Sequence, residues 1–450
     1  MKVRIILVAC MALAIPTSAQ VGEQASSVPL APKASPPLAD EPFVITMTEI
    51  PGNPQTAFIG GVSAANLDGP GSYASGITAW IVNGGIFLET RVGYIWGVRG
   101  GTQVFEIPAS VYFNDNTQFP LAVAENGTTV GWNLFSDTAS SYPFRWTRAK
   151  GYQLLPTPGS QWNGRAVSLS SDGEVIAGWL GLGLAGTSQA VLWDRGVLQF
   201  IGTEPYSQAR DISSDGRVIV GESGAGFAAP HATRWIGGLE SALELASGET
   251  ASAAHVVSDD GKITYGWAEI GSQRHLVRWS ETGQSLLLTP PKGLSVVEIN
   301  ATNRTGSCVV GALDRLPVPV GLLVNDQVPF VWRQGKGFTL ITEAGLPSDY
   351  DYSAALDVTD DGDTVVGELR AISTFNGFPP RKAFMWNALS GMNTLDDLME
   401  EQGLPDRGLY RVLAISGDGT RLVATGVVQS TPKVTPSVLL EFSKKPFAVE

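Results

Sequence analysis

One hairpin is written into this chain again and again, and that recurrence limits the fold more than any other feature. The stretch "ARDISSDGRVIVGESG" (209–224) sets an apolar run ending at Ile212 against a second one, Val218 to Val220, across a Ser-Asp-Gly turn. The same pattern returns in "RAVSLSSDGEVIAGW" (165–179), "AHVVSDDGKITYGW" (254–267), "ALDVTDDGDTVVGE" (355–368) and "VLAISGDGTRLVATG" (412–426). In "LAVAENGTTVGW" (121–132) the turn is Asn-Gly, and "VEINATNRTGSCVVGA" (297–312) carries a slightly longer one.

Each hairpin but the last leads, after a variable loop, to a second signal: "PFRW", "AVLW", "HATRW", "HLVRW", "PFVW" or "AFMW". Its tryptophans are Trp146, Trp193, Trp235, Trp279, Trp332 and Trp386; Trp96 precedes them, Leu440 takes the last slot, and the spacing runs from 42 to 54 residues. A Gly-bearing turn and another apolar strand follow, so one unit is four short strands. Four strands in a period of this size mark a propeller blade. A sheet that is apolar on both faces cannot hide both alone, and a ring of neighbours covers them and protects the edges. The Trp slot is then the core residue between blades.

Counting slots predicts an all-β fold, a single β-propeller of eight four-stranded blades over residues 43–450. Seven blades stay open, because the first unit, "SGITAWIVNGGIFLET" (75–90), is compact and lacks the Asp-Gly form. The last unit ends after "VLLEF" without a fourth strand, whereas "FVITMTEIP" (43–51) stands alone, and its "TEIP" echoes the "FEIP" that closes the first unit. The N-terminal strand is therefore expected to complete the last blade and latch the ring.

Composition agrees. Gly (52) and Pro (28) are abundant and charged residues make up only 16%, which suits short strands joined by tight turns. A net charge of −13 with no Lys/Arg-rich tract excludes the electrostatic footprint of a nucleic-acid binder and would repel anionic lipid. Residues 1–19 place Lys2 and Arg4 before an apolar segment, Ile5 to Ile15, and end on small residues to Ala19, the layout of a signal peptide. Residues 20–42 are rich in Pro, Ala and Ser, a flexible leader. Export to the periplasm, cell surface or medium follows, without membrane insertion of the mature chain, since no later stretch reaches ~18 apolar residues. Loss of Cys10 with the signal leaves Cys308 alone in an apolar run, so packing carries stability.

The strings "HATRW" and "HLVRW", each with a Gly turn after it and a downstream "IS-DG-VVG"-type hairpin, resemble the extracellular repeats of the HAF family, over about residues 70 to 442. His opens the string only at His231 and His275. The resemblance implies an exported bacterial repeat protein and carries no catalytic residue.

Candidate sites follow from the ring. Asp172, Asp215, Asp260, Asp361 and Asp418 each precede a Gly. One or two carboxylates per turn are too few for calcium, which takes six to eight oxygens, and Asp-Gly suits a two-residue hairpin turn. His231, His255 and His275 lack the spacing of zinc ligands, so no metal or other cofactor is expected. There is no Gly-x-Ser-x-Gly, Walker or HExxH motif. Ionisable groups on the inner strands, Asp211, Glu298 and Asp357 with His255 and Arg210, would line the channel. They supply either ion pairs in a hydrated channel or the acid and base of a glycan hydrolase or lyase.

The column after each strand-ending Gly reads Trp132, Trp179, Glu222, Trp267, Ala312, Glu368 and Val427. If it lies on the face of the long loops ("GLGLAGTSQ", "GAGFAAP", "LDRLPVPVGLLVND" and "RAISTFNGFPPR"), its indoles could stack on sugar rings while Glu222 and Glu368 bind hydroxyls. The alternative packs these tryptophans between blades. The expected role is binding, with an extracellular glycan or a surface protein as partner; a glycan-active enzyme and a purely structural surface protein are the other two readings.

Overall fold

The computed structural model describes residues 44–50, 62–68, 72–79, 91–99, 101–105, 116–135, 140–182, 187–244, 248–315, 327–341, 352–371, 381–426 and 437–446. The signal and leader expected at residues 1–42 lie outside them, as does most of the stretch 75–90. Alternating apolar residues give each repeat a four-stranded antiparallel sheet. In blade 3, Trp162–Leu169 pairs with Val175–Leu182, then Ser188–Asp194, then Val197–Phe200. Eight such blades form the ring, an eight-bladed β-propeller.

The inner strands of blades 1 to 8 are Val62–Asn66, Asn116–Val123, Trp162–Leu169, Tyr206–Ile212, Glu249–Val257, Leu294–Thr302, Tyr352–Val358 and Leu409–Ile415. Each touches the next, and the eighth touches the first. Ile45–Glu49 closes the ring as the outer strand of blade 8, antiparallel to Ser437–Phe442 with Met47 opposite Leu440. The latch expected from "FVITMTEIP" is thus in place. Ile50 continues it, donating its N–H to the Ser437 carbonyl at 2.8 Å.

Every Trp of the slot is buried, as is Leu440. Trp193 of blade 3 packs with Ile176 and Leu180 against Val130 of blade 2, and its Nε1 donates to the Pro156 carbonyl at 2.8 Å. Trp235 of blade 4 packs against Ala177 and Leu192 of blade 3. The cores therefore lie between blades. Truncating such a side chain to alanine costs about 3–5 kcal/mol.

Two devices in the hairpin recur. The first is a β-bulge at one place in all eight inner strands: the register slips between Val62/Ala64, Pro120/Ala122, Ala166/Ser168, Ala209/Asp211, Ala254/Val256, Ile299/Ala301, Ala355/Asp357 and Val412/Ala414. Arg210, His255 and Asn300 are the extra residues in their strands, and bulges re-aim side chains. Opposite the bulge stands the repeated Gly. A Cβ on Gly131, Gly178, Gly221, Gly266, Gly311 or Gly367 would lie 1.9–2.1 Å from a backbone carbonyl oxygen of the inner strand.

The second device is the turn. Ser170 Oγ donates to Asp172 Oδ1 at 2.6 Å, Glu174 N–H donates to the same oxygen at 2.9 Å, and Val175 N–H donates to Ser170 Oγ at 3.0 Å. The set repeats around Asp215, Asp260, Asp361 and Asp418. This corrects the expected two-residue turn. Only the Gly is left-handed (Gly173 φ 70°), and the loop spans four residues between Ser170 and Val175. The carboxylate caps the loop.

A short helix, Leu395–Glu401, follows blade 7, capped by Thr394, whose hydroxyl accepts from Asp397 N–H at 3.2 Å. It buries Leu395, Leu398 and Met399 in the core of blades 7 and 8. Among the described residues no helix is long and apolar enough to cross a membrane.

Candidate functional site

Antiparallel pairing gives the channel two different mouths. The turns ring one, and the second strands end at the other. Of the long-loop stretches expected there, 225–230 is described, with Phe227 exposed, whereas 183–186, 316–326 and 372–380 lie outside the described residues.

Trp132, Trp179, Glu222, Trp267, Ala312 and Glu368 do occupy one column, but inside the strands and not where they leave the sheet: Trp179 lies three residues before the end of Val175–Leu182. In blade 8 the column continues at Thr425, opposite Arg411, because the bulge sets Ala424 against Val412. Val427 lies outside the described residues.

In blades 2 and 3 the column builds a stack. The Phe119 ring lies 4.2 Å from Trp132 at 13°, and Arg165 Cζ lies 4.3 Å from the same indole. Two planar groups this close to one ring take opposite faces, so Trp132 offers an edge and no open face. Arg165 is also 5.7 Å from Trp179. The half-buried Trp179 has no aromatic ring stacked on it among the described residues.

In blade 4, Glu222 is buried, and its Oε1 accepts from both Tyr206 Oη and Arg210 Nη2 at 2.7 Å. Burial, then the Glu222 carboxylate, pushes the Tyr206 hydroxyl far up. In blade 5, Trp267 Nε1 donates to His255 Nε2 at 3.1 Å. That bond requires an imidazole with Nε2 unprotonated. Burial, with Arg210 and Arg274 nearby, holds His255 down at about 3. Arg274 Cζ covers Trp267 at 4.0 Å and reaches Glu269 at 3.5 Å. Blade 7 buries Glu368 against Arg370 at 3.2 Å. Blades 3 and 5 thus set two arginines, Arg165 and Arg274, over indoles on a chain of net charge −13.

The candidate acid and base residues take another part. Asp211 accepts from Ser168 Oγ at 2.9 Å and from Val257 N–H of the next blade at 3.0 Å; burial pushes it up to about 6, with those bonds opposing. Asp357 accepts from Val358 N–H and from Ile415 N–H of blade 8, both at 2.9 Å, and burial pushes it up to about 7 against those bonds. Asn300 donates to Glu298 at 3.2 Å and to the Ala355 carbonyl of the next blade at 2.8 Å. Asp211, Asn300 and Asp357 clamp one inner strand to its neighbour. No hydrogen bond or ion pair joins any two of Asp211, Glu298 and Asp357 among the described residues, which sit on blades 4, 6 and 7.

The turn mouth holds a polar cavity of about 300 Å³ lined by Asp68, Glu125, Asp211, Asp259 and Arg304 among others. Arg304 reaches Asp259 and Asp360 at 3.4 Å and Asp68 at 4.0 Å. The sequence reading missed this cluster. Its signal is the second residue of each turn, which runs Glu125, Ser171, Ser214, Asp259, Arg304, Asp360, Gly417, joined by Asp68 after the inner strand of blade 1. His231 is exposed and lies 3.3 Å from Glu249, and His275 is buried in the equivalent register of blade 5. No group of three or more His, Cys, Asp or Glu is placed to hold a metal among the described residues.

No family model matches the chain and no curated protein matches it. Solved structures do. A TolB from Acinetobacter baumannii is 18% identical over 57% of this chain and 60% of its own, with a TM-score of 0.36. A prolyl endopeptidase structure is 11% identical over 86% of this chain and 55% of its own, at 0.52. An oligogalacturonate lyase from Vibrio parahaemolyticus is 10% identical over 84% and 97%, at 0.43. The chain thus spans less than two thirds of the first two. At such identities only the fold is shared, and of these three the prolyl endopeptidase structure, above a TM-score of 0.5, is the likeness that bears on it.

Proposed function

We propose that this propeller is an exported binding module of the HAF repeat type, whose ligand is an extracellular saccharide held beside the column of blades 2 to 5. The observation that carries the reading is the pair formed by Trp179 and Arg165: an indole without a stacked ring, next to a guanidinium 5.7 Å away. A rigid ring of sheets holds both residues, and pre-organised aromatic surface flanked by hydrogen-bonding groups favours binding, because little ordering remains to be done on association. Trp267 extends the surface by its uncovered parts, and Trp132 acts as the support on which Arg165 rests. Glu222 and Glu368 are held by Arg210 and Arg370, so their role is to position those arginines.

A glycan array probed with the mature chain tests this. Binding is expected, and Trp179→Ala should weaken it about tenfold or more, as removal of a central aromatic anchor does, with Trp267→Ala costing less. Equal affinity of wild type and Trp179→Ala for every glycan bound would sink the reading and leave a protein partner or a structural role.

A further inference from the structure

We infer that Arg165 is the receptor for a carboxylate, so that the saccharide bound beside Trp179 is one bearing a uronic acid. The inference rests on the binding role proposed above and names the chemical class of its ligand.

Three other arginines near this column have acids: Arg210 with Glu222 at 2.7 Å, Arg274 with Glu269 at 3.5 Å, Arg370 with Glu368 at 3.2 Å. Among the described residues Arg165 has no ion pair and no hydrogen bond, and its Nε is buried without a partner. Burial pulls its guanidinium down from its ordinary value, and no acid raises it. Leaving donors of a charged group partly dehydrated and unpaired is costly. A chain with 43 acidic residues could satisfy them with one substitution.

The geometry shows what is left for a ligand. Trp132, itself backed by Phe119, lies against the guanidinium at 4.3 Å. A cation held over an aromatic face is fixed in position, and the terminal Nη fork of the guanidinium, bonded to no described residue, is left for a ligand. That fork matches the two oxygens of a carboxylate, which a point-charge ammonium does not. Trp179, 5.7 Å from the same guanidinium, supplies an apolar surface suited to the carbon face of a pyranose ring. An anion on a sugar ring meets both demands at once.

Arg411 of blade 8 occupies the equivalent position, opposite Thr425, and its Nε is also buried without a partner. It has no indole against it among the described residues, so it serves as the control.

Titration calorimetry with matched ligands tests the inference: tri- to hexasaccharides of glucuronate, galacturonate and mannuronate, the same oligosaccharides with each carboxylate reduced to the alcohol, and a sulfated neutral oligosaccharide. The wild-type chain is expected to bind one oligouronate at least about tenfold more tightly than its reduced partner, the scale of a charge-assisted hydrogen bond. Arg165→Gln should erase that preference, Arg165→Lys should recover part of it, and Arg411→Gln should leave it intact. The wild-type comparison needs no variant to fold. Equal affinity for an oligouronate and its reduced partner, a preference that survives Arg165→Gln, or binding of the sulfated ligand alone would each overturn the carboxylate assignment, while binding sensitive to Trp179→Ala would leave the saccharide role standing. Binding of no saccharide in any form would overturn both.

Discussion

At the scale of single residues, the repeated Gly shows how a backbone irregularity becomes a sequence rule. Each bulge drives a carbonyl of the inner strand into the space where the second strand would carry a Cβ, 2.0 Å away at Gly221. Gly221→Ala should therefore cost about 1–3 kcal/mol, the range for overpacking a closed site. Gly226→Ala, where nothing lies within 4 Å, should stay within about 0.5 kcal/mol. Urea denaturation of the two variants checks the contrast. The recurrence of the Gly was legible in the sequence, but it was read as the end of a strand and lies inside one, Gly221 within Val218–Gly224; its reason was hidden because the bulge opposite it belongs to another strand and changes no residue type in a regular way. The tryptophans divide similarly. Those of the slot were read correctly as core, whereas the covering of Trp132 depends on Phe119 and Arg165, which no local pattern ties to it.

Between elements, the clamps Asp211 and Asp357 couple the ring to protons. Their folded values of about 6 and 7 stand above the ~3.9 of an unfolded aspartate. The folded chain then binds more protons than the unfolded one between about pH 4 and pH 7, so stability rises as pH falls through that window. Asp172 works the opposite way. The Ser170 hydroxyl and Glu174 N–H hold it low, so its contribution is present above about pH 4 and is lost as pH falls below. Maximum stability is expected on the acid side of neutrality, near pH 5 by order of magnitude. Denaturant titrations from pH 4 to pH 8 measure it, and Asp357→Asn should flatten the rise on going from pH 7 to pH 5. A variant curve parallel to the wild type would refute the assignment to Asp357. The helix Leu395–Glu401 escaped the sequence reading because its seven residues are too few to show helical periodicity against a strand background. Its Thr-x-x-Asp start was the available signal.

Across the whole molecule, closure depends on Ile45–Glu49. Without that strand, Ser437–Phe442 would present an unpaired edge, and such edges recruit other chains. A chain lacking residues 1–50 should self-associate in size-exclusion chromatography with light scattering, and a peptide of sequence FVITMTEIP should return it to the monomer. A truncated chain that stays monomeric and melts like the full one would contradict the latch. The blade count, the closing strand and the slot were all legible because repetition reports them many times over. The channel was less so, since its residues meet only once the ring exists.

The turns add one consequence. Glu125 N–H donates to the Ser171 carbonyl, Ser171 to Ser214, Ser214 to Asp259 and Asp259 to Arg304; the Asn303 side chain carries the step to Asp360, Asp360 passes to Gly417, and Gly417 to the Asp68 carboxylate. All of these donors face the same way around the axis. The rim therefore has a sense of circulation, like a one-way street, and a blade inserted back to front would meet donor with donor on one side and acceptor with acceptor on the other.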